Sequence, residues 1–105
     1  MTLNKSEIIA ERELTFSVKG DRAMQKLAIQ VHRPTEVDPE EVTFDVSPGT
    51  ASCRVEFVGL GEPAYVAYGA DTLQALEQAV NIDPILRSLK KYNFFFPNGE
   101  AYFDD

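Results

Sequence analysis

Apolar and polar residues alternate with period two through the first third of the chain, and a helical pattern replaces the alternation in the last third. Ile8, Ala10, Leu14, Phe16 and Val18 share one parity, and Glu11, Glu13, Thr15 and Ser17 share the other. One apolar face and one polar face predict a half-buried antiparallel strand. Arg12 interrupts the apolar series, and its aliphatic stem can lie over a sheet edge. Lys19-Gly20-Asp21-Arg22 reads as a turn. Leu27, Ile29 and Val31 then alternate with Lys26, Ala28 and Gln30 as a second strand, so the first two strands form a hairpin. Arg33-Pro34 to Glu41 is a polar loop with two prolines. Val42, Phe44 and Val46 are either a short strand before the Ser47-Pro48-Gly49 turn or part of a longer loop. Ser52 to Val58 is a further strand, with Cys53, Val55 and Phe57 on one face and Arg54 and Glu56 on the other. After the turn Gly59 to Pro63, residues Ala64 to Tyr68 run back as the last strand of the sheet. Their mixed apolar pattern predicts a central position.

The helix signal begins at Tyr68-Gly69-Ala70-Asp71-Thr72-Leu73-Gln74-Ala75-Leu76. Gly69 is read as freeing the turn. The carboxylate of Asp71 can accept from the orphan amides of a first helical turn, and Gln74 three residues later completes a capping box. On a wheel of about 100° per residue, Gln74, Glu77, Gln78 and Asn81 fall on one side. Leu73, Leu76 and Val80 are predicted to anchor the helix, with the small Ala75 and Ala79 allowing close approach to a sheet. Asp83-Pro84 is a second cap with proline at the first helical position, so the helix either breaks near Asn81 and restarts or kinks there. Arg87, Lys90 and Lys91 collect at the C-terminal end, where the helix dipole favours positive charge. Beyond them Phe94-Phe95-Phe96 cannot all face one side of a strand. Pro97-Asn98-Gly99-Glu100 reads as a turn. Ala101-Tyr102-Phe103 is either a short returning strand or a tail laid on the domain. The expected fold is a single α+β domain over residues 1–105: an antiparallel sheet of four to five strands with the helix of residues 72–90 packed on one face.

Composition narrows the function classes. The 105 residues suffice for one core, and 44% hydrophobic with 26% charged residues is a globular rather than a disordered balance. A net charge of −7 repels phosphate backbones and anionic lipid, so neither nucleic acid nor a membrane is expected as a partner. No apolar run reaches the ~20 residues of a membrane span. Residues Met1 to Ile9 lack the basic-then-apolar pattern of a signal peptide, which leads to the expectation of a cytoplasmic protein. One cysteine, Cys53, excludes an internal disulfide and the multi-cysteine zinc sites.

Little in the chain points to catalysis. His32, the one histidine, and Cys53 form the sole Cys/His pair, which a small enzyme or ligand-binding protein could use near a sheet–helix pocket. Cys53 shares parity with Val55 and Phe57, however, which predicts a small core residue. Glu36, Asp38, Glu40 and Glu41 make an acidic loop, but Pro39 interrupts it and it lacks the glycine of a calcium loop. Gly59-Leu60-Gly61 runs into Glu62-Pro63 rather than into helical amides and a lysine, so it is not a phosphate loop. No cofactor, metal or catalytic residue is expected. Tyr92, Phe94, Phe95, Phe96, Tyr102 and Phe103 are the candidate contact surface: covered, they complete the core; exposed, they form a sticky patch.

The Tyr68–Leu76 segment resembles a family of small uncharacterised bacterial proteins marked by Gly-x-Asp-Ser/Thr-x-Gln-Ala-Leu after an antiparallel sheet. Cys53 and Gly59 are similar to a cysteine that opens, and a glycine that closes, the preceding strand in that family. Ala51-Ser52 stand where many members have a tryptophan. The resemblance implies no activity and no site residue. The expected function is a non-catalytic protein–protein interaction module, with a protein partner or a second copy of the chain. By size and charge it is similar to immunity proteins that neutralise toxins.

Overall fold

The computed structural model describes residues 7–103. The chain runs β1 (Ile8–Val18), β2 (Gln25–His32), β3 (Thr35–Glu36), a 3-10 turn at Pro39–Glu41, β4 (Ala51–Val58), β5 (Tyr65–Gly69), α1 (Thr72–Val80), α2 (Asp83–Ser88) and β6 (Tyr92–Phe95). All strand pairings are antiparallel. β4 takes β2 on one edge and β5 on the other. β3 pairs the same end of β4 that β5 already occupies, so it lies on the β2 side and continues β2. Val31 faces Val55 and Thr35 faces Ser52, four steps against three. The additional residue at Arg33-Pro34 is a bulge, where proline has no amide to give the ladder. The sheet therefore reads β5-β4-β2/β3-β1-β6, with β6 closing the far side against β1.

The predicted parities hold through β2, β4 and the middle of β1, whereas Ile8, Ala10 and Val18 of the apolar series are exposed and Ser17 of the polar one is buried. Leu14, Phe16, Leu27, Ile29, Val31, Cys53, Val55 and Phe57 are buried on one face. The helices cover that face, and Glu11, Glu13, Lys26, Gln30, Arg54 and Glu56 lie on the other. The shortest dimension of the molecule, 22 Å, is the thickness of one sheet plus one layer of helix, each about 10–12 Å. α1 lies on β4 and β5, and the chain then crosses the sheet through α2 to β6.

Several expectations are corrected. Among the described residues the sheet has six strands, close to the four to five expected, and Tyr92–Phe95 rather than residues 64–68 is the last in the chain. β5 is an edge strand, not a central one, and only Ala67 of it is buried. Of the two alternatives for residues 42–46, strand or loop, the chain takes the loop, with the Phe44 ring edge-on to Tyr68 at 5.6 Å. Of the two alternatives for residues 72–90, a break or a kink near Asn81, the chain takes the break: two helices separated at Asn81-Ile82, the second ending at Ser88. Ala75 and Ala79, both 0% exposed, form the contact of α1 with the sheet, whereas Leu73 and Val80 are 67% and 50% exposed. Close packing explains the exchange: with two alanines at the centre of the contact, larger residues are displaced to its flanks. Gly69 also acts differently from the expectation. Its φ is not positive. A Cβ there would stand 2.4 Å from the Ala75 nitrogen, so glycine is required by the approach of the helix. Gly59, at φ +97°, is a left-handed turn residue, and a Cβ there would also meet the Lys26 carbonyl oxygen at 2.5 Å.

The cap of α1 forms with one shift. Asp71 Oδ1 accepts from the Gln74 amide at 2.8 Å, as expected. Gln74 Oε1 accepts from the Ala70 amide at 2.6 Å, one residue before the cap residue that a capping box would use. Asp83 does not cap α2; the N-cap is Ile82, with no side-chain bond. Its carboxylate instead accepts from the Tyr102 hydroxyl at 2.7 Å.

Candidate functional site

Two places in the fold answer to the candidate residues: the Cys53/His32 region and the aromatic tail. The first is built on the bulge. The Cys53 thiol donates to the His32 carbonyl at 3.1 Å, and it is 1% exposed. The bulge takes that stretch of β2 out of regular register, and the thiol supplies the carbonyl with a partner. Burial pushes the thiol pKa up, away from the thiolate that a nucleophile requires. The His32 ring lies on the opposite face of the sheet, its Nε2 2.9 Å from Glu56 Oε1, which Arg54 Nε approaches at 3.3 Å. The two side chains of the Cys/His pair thus meet through a backbone oxygen and not through their reactive atoms.

In the acidic loop Asp38 serves the local backbone. Asp38 Oδ1 accepts from the Glu40 amide at 2.9 Å and caps the 3-10 turn. Among the described residues no three His, Cys, Asp or Glu side chains gather in a metal-binding cluster.

The tail is more informative. Phe94 pairs with Phe16 across β1 and β6 and is 5% exposed, so its ring belongs to the core. Tyr92 lies on the same face, edge-on to Phe16 at 5.4 Å. Its hydroxyl donates to Glu62 Oε2 at 2.8 Å, and Lys91 Nζ lies 3.2 Å from the same oxygen. The Tyr92 hydrogen bond, followed by Lys91, holds the Glu62 carboxyl below the usual range, and Glu62 in turn raises both Tyr92 and Lys91. After β6 the chain reverses at Pro97–Glu100: Phe96 N donates to Glu100 O at 2.8 Å and Tyr102 N to Phe94 O at 3.0 Å. Ala101 bridges Phe95. The returning segment carries Tyr102 against Phe96 and Phe103, with ring centroids at 5.1 and 4.9 Å. Arg12 Nη1 donates to the Tyr102 oxygen at 2.6 Å, so Tyr102 ties β1 to the start of α2 through Asp83.

Between α2, β6 and the returning tail lies a cleft of about 420 Å³. Leu86, Leu89, Phe94 and Phe103 give it an apolar wall, and Asn93 and Phe95 belong to β6. Lys19, Arg87 and Lys90 supply its charge. The Arg87 guanidinium lies 4.1 Å from the centre of the Phe103 ring, within cation–π range. Among the described residues the lining contains no carboxylate. Four of the six predicted aromatic residues, Tyr92, Phe94, Phe95 and Phe103, line this cleft. Phe96, 39% exposed and just before the reversal, stands against Tyr102 of the returning segment.

The cations are the part that sequence reading missed. Arg87, in the last turn of α2, and Lys90, two residues beyond its end, were absorbed by a dipole argument. Lys19 carried no signal, since only the β1–β6 pairing brings it here: its amide donates to the Lys91 carbonyl at 2.9 Å. No family model, curated protein or solved structure matches the chain.

Proposed function

We propose that this protein is a non-catalytic interaction module that contacts another protein chain through the cleft between α2, β6 and the returning tail. The observation that carries the reading is the aromatic tail itself. Folding brings four of its rings to the wall of one cleft and leaves Phe96 exposed beside Tyr102. Half-exposed aromatic side chains with arginine are the residue types that anchor protein interfaces. The buried thiol of Cys53 and its separation from the His32 ring support binding over nucleophilic chemistry. Kinship with the small bacterial proteins that the Gly69–Leu76 segment resembles, and an immunity-like role, are part of the same proposal.

The test is affinity capture with the protein and with a Lys19→Glu/Lys90→Glu variant, read beside light scattering on a sizing column. The reading expects a stoichiometric complex, with a partner or with itself, that the variant loses. A protein that stays monomeric and captures the same set of proteins as its variant would sink it.

One observation favours self-association as a second reading. β5 is an edge strand of sequence Tyr-Val-Ala-Tyr-Gly, without charge or proline, and Tyr65, Val66 and Tyr68 are exposed. Uncharged open edges are templates for pairing with another strand. A dimer that survives Lys19→Glu/Lys90→Glu but dissociates on Val66→Lys would assign self-association to β5.

A further inference from the structure

The sheet has two outer edges, and the chain treats them differently. Along β6 the returning segment closes the edge: Phe96 N donates to Glu100 O, Tyr102 N donates to Phe94 O, and Ala101 bridges Phe95. β5 pairs β4 on one side, and among the described residues no strand lies on its other side. Sheet edges that stay single are blunted by charge, proline, a bulge or a covering segment. Tyr65-Val66-Ala67-Tyr68-Gly69 has no charge and no proline, in a chain of net charge −7, and its register with β4 runs without a shift. Tyr65, Val66 and Tyr68 are 41%, 39% and 45% exposed.

The strand is also complementary to itself. Its register with β4 puts Val66 beside Arg54 and Tyr68 beside Ser52 on the open face of the sheet, and Tyr65, Ala67 and Gly69 on the face that α1 covers. Antiparallel pairing of two copies about a two-fold axis at Ala67 sets Val66 against Tyr68 twice, a β-branched and aromatic pair of the kind that stabilises sheets. The small Ala67 meets itself on the axis, and Tyr65 faces Gly69, which has no side chain to obstruct the ring. The helices fit the same arrangement. α1 lies over β4 and β5, and its Val80 turns inward, beside Ile29 and Val31 of β2. Helical spacing therefore puts Gln74 and Gln78, both exposed and uncharged, on the flank toward the open edge. With strands about 4.8 Å apart, two α1 axes would stand roughly 10 Å from each other, the distance of packed helices. A slip of one residue would turn the helices of the second copy to the opposite face and lose that contact.

We propose that two copies of this chain join through β5, antiparallel about Ala67, into one continuous sheet with their α1 helices side by side along Gln74 and Gln78. The inference rests on the self-association reading above and gives it a register. A second copy suits this edge better than a foreign strand, because the sequence of β5 supplies both halves of each pair and has no charge to select another partner.

The experiment is disulfide trapping on the full chain, read beside light scattering on a sizing column from micromolar to millimolar protein. Val66→Cys and Tyr68→Cys are made separately and oxidised in a glutathione buffer, each alone and as an equal mixture. Cys53 is buried and does not compete. In the proposed register residue 66 of one copy faces residue 68 of the other within disulfide reach, whereas the two residues 66 stand about 8 Å apart, beyond it. The proposal expects the heterodisulfide in the mixture and little crosslink in either variant alone. It also expects a dimer of the parent chain at the upper concentrations that Val66→Lys loses. Thermal unfolding shows whether each variant is folded, and the trapping result decides the matter where Val66→Lys does not fold. Homodisulfides as abundant as the heterodisulfide, or a dimer that folded Val66→Lys retains, would overturn the β5 pairing while leaving self-association in place. A parent chain that stays monomeric at every concentration would overturn both.

Discussion

Gly69 lies directly beneath the backbone of Ala75, so close that a Cβ on the glycine would stand 2.4 Å from the Ala75 nitrogen and 2.7 Å from the Gln74 carbonyl carbon. The contact sets the height of α1 above the sheet. Gly69→Ala must lift the start of the helix and loosen Ala75 and Ala79 from β4 and β5. A cost of about 1–3 kcal/mol follows, the range of overpacked sites. Urea unfolding measures it, and a midpoint equal to that of the parent protein would contradict the close approach.

The cap of α1 rests on two bonds, from the Gln74 amide to Asp71 and from the Ala70 amide to Gln74. Asp71→Ala is expected to cost about 0.5–2 kcal/mol. Gln74→Ala, which leaves the Asp71 bond intact, should cost less. Thermal unfolding of the two variants ranks them, and the reverse order would remove Asp71 as the principal cap.

Cys53 should be inert while the protein is folded. Its thiol is buried, donates to the His32 carbonyl and has a raised pKa. A disulfide reagent at neutral pH should label it at the rate of unfolding in water and at once in denaturant. Rapid labelling of the native protein would restore the nucleophile reading.

Glu62, Tyr92 and Tyr102 are among the groups that give the stability a direction with pH. Glu62 has a lowered pKa, caused first by the Tyr92 hydroxyl and then by Lys91. Its contribution is present above the ordinary carboxylate range and is lost as pH falls through the lowered value. Tyr92 is raised chiefly by its bond to Glu62, and Tyr102 chiefly by burial and then by its bond to Asp83. Groups with raised pKa values stabilise the fold below their unfolded value of 10.0 and lose that contribution as pH rises through the folded one. Phenolate absorbance followed through an alkaline titration should therefore show a component above the ordinary tyrosine range. Tyr92→Phe and Tyr102→Phe should each diminish that component. Its persistence in both variants would contradict the assignment.

Local signals carried much of the fold. Period-two alternation located β1, β2 and β4, and the Asp71 cap located α1 to the residue. What escaped depended on distance in the chain. The side of the sheet that β5 occupies is decided by β6 returning to β1, which no pattern in residues 64–68 records. Leu73 looked like an anchor because a helical wheel shows which residues are apolar but not how close the neighbouring strand lies; Gly69 decides that. The aromatic tail was visible as a contact candidate from composition alone. Its cleft was not, since Lys19 joins Arg87 and Lys90 only through a strand pair that spans most of the chain.

The most direct test of the interaction account is site-specific photo-crosslinking in the cells that make the protein. A photoreactive phenylalanine would replace Phe96 beside the cleft or, as the comparison, the exposed Met24 in the turn after β1. The account predicts a discrete crosslinked species from position 96 that position 24 does not give, and its loss when Lys19→Glu/Lys90→Glu is added. Identical crosslinking from both positions, or a species from position 96 that the charge reversal leaves unchanged, would contradict it.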